Sequence, residues 1–228
     1  MRKTEKISIT ILFISFLIIS CAKDNTGSNA TANIMLVNAS PDVAFVDAFS
    51  GTTQINPSAI PYGGVTEYLS VPTENKVFTF KENPSAATLC SNSTFNVSEN
   101  KKYTIFITDY ASQAKILQQE NNSPAPASGK TNFRIMHLSP NTAAVDFIFR
   151  SGADSIAISN KTFRQTPDLL AIDGKTYDIR AKLTGTQTVV AQINNVSLNS
   201  GKVYTLFLKG LSGTPGATAP AIQFFANN

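Results

Sequence analysis

Residues 34–49 read IMLVNASPDVAFVDAF, and residues 133–149 read FRIMHLSPNTAAVDFIF. Ser40-Pro41 lies over Ser139-Pro140 and Val46-Asp47 over Val145-Asp146, both at an offset of 99. Further on, Lys102-Tyr103-Thr104-Ile105-Phe106 answers Val203-Tyr204-Thr205-Leu206-Phe207 at an offset of 101. An offset that stays nearly constant over such a length marks an internal duplication. Two copies follow, residues 33–117 and 132–228, of 85 and 97 residues. Between them residues 118–131, QQENNSPAPASGKT, are polar and contain proline, the composition of a linker. Such a linker buries no core, so each copy is expected to fold alone with its own melting transition.

Within each copy the apolar runs are short, β-branched or aromatic, and broken by turn residues every 8 to 12 positions. This pattern predicts an all-β fold, with each copy an antiparallel β-sandwich. Tyr177, Ile179 and Ala181 alternate with Asp178, Arg180 and Lys182, which puts one face of that strand on a core and the other in water. Residues 103–107 and 204–208 are apolar on both faces and read as interior strands. In Ser40-Pro41-Asp42 and Ser139-Pro140-Asn141 the proline fixes φ at the second position of a turn, and Asp or Asn accepts backbone hydrogen bonds at the third.

The chain has 228 residues, 42% hydrophobic and 15% charged, which excludes a disordered polar tail and a multi-span membrane protein. Arg2, Lys3 and Lys6 precede an apolar run at residues 7–19, the order of parts of a secretory signal. The uncharged stretch, residues 7–22, is 16 long, against roughly 20 for a spanning helix. It ends Ile18-Ile19-Ser20-Cys21, which resembles the lipobox of bacterial lipoproteins. The resemblance implies cleavage of residues 1–20, acylation of Cys21 and a membrane anchor of several acyl chains. Residues 22–32 lack large apolar side chains and read as a flexible tether. Ala22 is not the Asp of proteobacterial inner-membrane retention, and Lys23-Asp24 resembles a weak surface-export signal of Bacteroidetes lipoproteins. The expected location is therefore the outer membrane, on either face.

Removal of the leader leaves 16 Lys and Arg against 14 Asp and Glu. That balance, with few adjacent basic pairs, excludes a nucleic-acid partner. The first copy carries 5 basic and 7 acidic residues and the second 9 and 5, so their net charges have opposite sign.

The motifs quoted above, with Ile60-Pro61-Tyr62-Gly63, Tyr68 and a late G-K-x-Y-T segment, resemble a secreted bacterial family known as domain of unknown function 4397, often found in tandem. The resemblance implies an Ig-like β-sandwich and an extracytoplasmic location, and no activity. The first copy has Asn38 where the family favours His. The second keeps His137 but reads Thr162-Phe163-Arg164 in place of Pro-Tyr-Gly.

Candidate chemistry is sparse. His137 is the one histidine, and Ser139 and Asp146 lie close enough in sequence to raise an envelope hydrolase as the alternative to a binding protein. No Gly-x-Ser-x-Gly elbow accompanies them, and Asn38 stands at the equivalent position of the first copy. A turn-capping role is the expected one for His137, Ser40 and Ser139. Zinc would need three or four ligands, and calcium six or more oxygens, so no metal and no cofactor is expected. Asp47 and Asp146 occupy equivalent places inside apolar strands, where a carboxylate needs donors. Backbone amides of the adjacent Ser-Pro turn, or of a neighbouring loop, are expected to supply them. Cys90 is expected to be buried and unpaired. The favoured function is a lipid-anchored, non-catalytic envelope protein whose tandem sandwiches bind a protein or polysaccharide, or serve adhesion.

Overall fold

The computed structural model describes residues 30–73, 77–94 and 96–227. The leader, Cys21 and most of the tether lie outside the described residues. In the first copy the strands are β1 (Thr31–Asn38), β2 (Phe45–Ser50), β3 (Thr53–Gln54), β4 (Ile60–Pro61), β5 (Leu69–Pro72), β6 (Val77–Glu82), β7 (Thr88–Thr94), β8 (Lys102–Thr108) and β9 (Lys115–Glu120). In the second they are β10 (Lys130–His137), β11 (Val145–Ser151), β12 (Asp154–Lys161), β13 (Leu170–Asp173), β14 (Thr176–Leu183), β15 (Val189–Ser197), β16 (Val203–Lys209) and β17 (Ala221–Ala226).

Each copy is a sandwich of two sheets. One sheet runs β5-β1-β8-β9, and its counterpart β13-β10-β16-β17. The other runs β3-β2-β6-β7, with β4 also on β2, and its counterpart β12-β11-β14-β15. The two topologies correspond, as the duplicated sequence requires, except that β12 alone runs along β11 where β3 and β4 share β2. The sandwiches are not wholly antiparallel: β1 pairs with β8 in parallel, and so does β10 with β16. A parallel pair needs a long crossover. Here the intervening strands of the opposite sheet provide it.

The alternation of side chains builds a core in each copy. In the first, Ile34 and Leu36 of β1 and Ile105 and Ile107 of β8 meet Val46, Phe78 and Phe80 of the opposite sheet. In the second, Phe133, Leu206 and Leu208 meet Phe147, Phe149 and Ile179. Three boundaries differ from the sequence reading. Thr31 and Ala32 belong to β1, with Ala32 fully buried, so the tether ends sooner. Gln118 to Glu120 complete β9, and Lys130 and Thr131 open β10, which leaves residues 121–129 as the connection. Polar composition did not prevent these residues from pairing, because on β9 every second backbone group bonds regardless of side chain.

A third core lies between the copies. Val37 and Ala39, with Phe106, pack against Met136, Leu138 and Phe207. Phe106 meets Phe207 edge-on with centroids 5.8 Å apart, and Phe225 at 6.4 Å. This explains the strands that are apolar on both faces: one face of β8 and β16 serves its own sandwich, the other serves the neighbouring copy. Beside the rings, Asn121 Nδ2 donates to Thr104 Oγ1 at 2.8 Å and Asn227 Nδ2 to Thr205 Oγ1 at 3.0 Å. The two asparagines join through Asn227 Nδ2 and Asn121 Oδ1 at 3.1 Å. All four residues are buried. Burying two Phe side chains contributes about 1.5–3 kcal/mol each, so each copy gains stability from the other, where the sequence reading treated the two as separate units.

Candidate functional site

The Ser-Pro turns are built alike in both copies. Val43 N–H donates to Ser40 O at 3.3 Å, and Thr142 N–H to Ser139 O at 3.4 Å, closing four-residue turns. The residue two before each serine caps the turn from inside. Ser40 N–H donates to Asn38 Oδ1 at 3.2 Å, and Asn38 Nδ2 donates to Val43 O at 3.0 Å. In the second copy Ser139 N–H donates to His137 Nδ1 at 3.2 Å. With Nδ1 accepting, the ring proton sits on Nε2, which lies 3.1 Å from Thr142 O and 3.0 Å from Ala143 O. Asparagine and histidine thus do one job: each offers an acceptor and a donor about one ring-width apart. Burial lowers the His137 pKa below its ordinary value, while the two carbonyls pull it upward.

The serine hydroxyls fasten the turn to the far end of the sheet. Ser40 Oγ donates to Asp109 O and Ser139 Oγ to Gly210 O, both at 2.6 Å. Asp109 and Gly210 stand just past β8 and β16, and both have positive φ, 74° and 99°. At the third turn position Asp42 Oδ1 accepts from Ala111 N–H at 2.9 Å, and Asn141 Oδ1 from Ser212 N–H at 2.8 Å. Pro41 is buried and Pro140 half-buried between these contacts.

This geometry sets itself against the hydrolase alternative. His137 is 1% exposed and Ser139 fully buried, and both ring nitrogens are engaged by backbone. Ser139 Oγ bonds Gly210 O and Thr142 Oγ1, not the imidazole. Asp146 is not brought to them. It lies on β11 with its side chain on the solvent side of the outer sheet, between buried Val145 and Phe147.

Asp47 and Asp146 therefore differ from the sequence reading in burial and in partners. Both are half-exposed. Asp47 accepts from Asn56 Nδ2 at 3.0 Å, Gln54 Nε2 at 3.1 Å and Asn83 Nδ2 at 2.7 Å. Asp146 accepts from Asn160 N–H and Thr184 Oγ1, each at 2.8 Å. The Asn160 amide, then Thr184, hold its carboxyl below the usual range. The Ser-Pro turn donates to neither, because its amide is already taken by Asn38 or His137. Each carboxylate instead ties neighbouring segments of the outer sheet together.

Cys90 is free and buried, its Sγ 3.0 Å from Ala114 O, and desolvation raises its pKa. Among the described residues no group of three or more His, Cys, Asp or Glu could hold a metal ion. No helix among them is long and apolar enough to cross a membrane.

What stays open to solvent is the outer sheet of each copy. On the first, Lys81 Nζ stands 5.0 Å over the Phe49 ring, beside Asp47 and Glu82 in a small recess of about 160 Å³. On the second, a recess of about 310 Å³ lies over β11 and β14. Sequence reasoning placed Arg180 and Lys182 on a wet face but did not single out this recess, because Arg150 joins it only through the register of β11 on β14. It also missed Asn121 and Asn227. Their offset is 106 rather than 101, since the loop before β17 is longer than the one before β9.

The late tyrosines add a further mark of the sandwich class. Ser98 N–H donates to Tyr103 Oη and Asn199 N–H to Tyr204 Oη, both at 3.1 Å. A tyrosine near a strand start whose hydroxyl bonds backbone a few residues upstream is the corner found in Ig-type sandwiches. The fold and its turns thus define a tandem β-sandwich protein with corner tyrosines and a buried, capped Ser-Pro turn in each half. The model of the family described as Domain of unknown function (DUF4397) matches residues 32–148, just over half of the sequence, and the chain belongs to that family. No curated protein matches it. Among solved structures, a family 26 carbohydrate-binding module of Eubacterium rectale Amy13K in complex with maltoheptaose is 12% identical, with 87% of this chain and 97% of that one covered and a TM-score of 0.28. A candidate cell adhesion protein from Bacteroides eggerthii is 11% identical, with 88% and 96% covered and a TM-score of 0.25. A leucine-rich repeat protein from Bacteroides thetaiotaomicron is 8% identical, with 77% of this chain and 25% of that one covered and a TM-score of 0.20.

Proposed function

We propose that this protein is a non-catalytic, lipid-anchored component of the cell envelope, held at Cys21 on the outer membrane, whose paired sandwiches present their outer sheets to a protein or polysaccharide partner. The observation that carries the binding part is where the repeated polar residues are used. Asn38, His137, Ser40, Ser139, Tyr103 and Tyr204 all bond backbone groups that the fold itself leaves open. None is left to attack a substrate. The outer sheet of the second copy carries Arg180 with a spare donor, and a rigid pair of sheets suits recognition of an extended partner.

The anchor rests on Ile18-Ile19-Ser20-Cys21. Cells fed a labelled fatty acid should label the wild type and not Cys21→Ala, and the mature chain should begin at Cys21. Label retained by the variant, or another N-terminus, overturns the anchor. For binding, residues 22–228 retain every strand, and this segment screened by thermal shift against glycans and envelope extracts should give a saturable shift without turnover. Turnover abolished by His137→Ala would overturn the non-catalytic reading.

A further inference from the structure

We propose that the recess on the outer sheet of the second copy binds an acidic saccharide, with the carboxylate of a uronic acid unit held by Arg150 and Arg180. This rests on the binding reading above and names its ligand class. Arg150 of β11 and Arg180 and Lys182 of β14 line the recess, and no carboxylate does. Neither arginine has an ion-pair partner among the described residues. The Arg180 Nε is shielded from water and has no acceptor. Lys182 is held in place, its Nζ donating to Gln187 Oε1 at 2.6 Å.

The nearby carboxylates are already engaged. Asp178, opposite Arg150 in the ladder, accepts from Asn195 N–H at 3.0 Å. Asp146, opposite Lys182, takes Asn160 N–H and Thr184 Oγ1. An incoming anion would meet guanidinium forks that match a carboxylate in plane and spacing. Ile148 and the 45% exposed Val189 give the recess an apolar side for the C–H face of a sugar ring, and the Ser155 hydroxyl adds a polar contact.

Comparison of the two copies separates these residues from the needs of the fold. Through the ladder registers Lys182 corresponds to Lys81, Ile148 to Phe49 and Arg180 to Thr79, while Arg150 lies where β2 has already ended and the first copy turns at Gly51. The first copy forms the same outer sheet with no arginine at either place. The second carries both arginines on one face, which the sandwich does not require. A recess of about 310 Å³ fits one or two sugar units rather than a broad lipid surface, which cations projecting from the sheet would serve better.

The full chain in neutral detergent micelles is titrated with trigalacturonate, with maltotriose as the uncharged control and glycerol phosphate as the chemistry of a lipid headgroup. Trigalacturonate should bind saturably, at least about tenfold more tightly than maltotriose, and more weakly as salt is raised. Arg180→Thr, which copies the first sandwich, and Arg150→Thr should each weaken binding about tenfold or more while Lys81→Gln leaves it unchanged. Melting temperatures of the two arginine variants check that the sheet is intact, and Arg150→Gln and Arg180→Gln replace them if it is not. Equal binding of maltotriose, or trigalacturonate binding that both arginine variants keep, overturns this inference and leaves the binding role standing. Glycerol phosphate bound in place of trigalacturonate assigns the recess to a lipid headgroup and also overturns it. No binding of any probe, together with an empty envelope-extract screen, overturns both.

Discussion

At position 137 the choice between histidine and asparagine can be read as a pH term. The neutral imidazole accepts from Ser139 N–H and donates to the Thr142 and Ala143 carbonyls, and a second proton on Nδ1 would face that amide. The folded pKa lies below the ordinary value because the ring is buried, so the unfolded chain binds more protons at acid pH. Stability is then fully present above the unfolded value of about 6.5 and is lost as pH falls through the folded one. Melting temperatures between pH 7.5 and 4.5 should show that decline, and His137→Asn, which copies Asn38, should remove its histidine component while keeping the pH 7.5 value. His137→Ala leaves the Ser139 amide unpaired and should cost about 1–3 kcal/mol at pH 7.5, a difference that narrows as pH falls and the histidine loses its own contribution. An alanine variant as stable as the asparagine one would show that the cap contributes nothing. The repeated Asp positions were legible as repeated, but their partners were not. Asn56, Asn83 and Thr184 lie in loops and Asn160 near the end of β12, and their closeness depends on strand register, which a single sequence does not display.

Among the elements, β8 and β16 carry most of the organisation. Their second residues are the corner tyrosines, their middles serve two cores, and just past their ends stand the positive-φ residues that receive the Ser-Pro hydroxyls. Tyr103→Phe and Tyr204→Phe should each cost about 0.5–1.5 kcal/mol, the net worth of one hydrogen bond, in urea unfolding. Gly210 is more constrained. A Cβ there would collide with the backbone of Thr218 and Ala219, and φ is 99°. Gly210→Ala should therefore destabilise far more than Gly213→Ala, where φ is 84° but nothing lies within 4 Å; equal melting temperatures would contradict this. The strands themselves were legible from alternation and turn spacing. The parallel pairing of β1 with β8 was not, since nothing in either strand's own pattern states its partner or direction.

At the scale of the whole molecule the third core sets the behaviour. Phe106→Ala and Phe207→Ala empty space on the surface between copies, and by the usual cost of a buried phenylalanine each should lose about 3–5 kcal/mol. The intact chain should melt in one transition, and residues 30–121 or 122–227 expressed alone should melt lower or self-associate. Two independent transitions at unchanged temperatures would show that the core between the copies adds little. The second apolar face of β8 was plain in the sequence, but what would cover it was not, because a run apolar on both sides reads equally as any interior strand. Equivalent residues meet across this boundary, Phe106 with Phe207 and Asn121 with Asn227. Contacts away from the centre are reciprocal as well, with Gln223 Nε2 reaching Gly63 O and Arg164 Nη2 reaching Ile116 O. That is the arrangement of an isologous homodimer joined into one polypeptide. A relative with a single copy would then be expected to pair with itself through the same face, about a two-fold axis that the duplicated chain has made internal, and fusion would have freed the halves to diverge at the outer sheets, where Thr79 stands in one and Arg180 in the other.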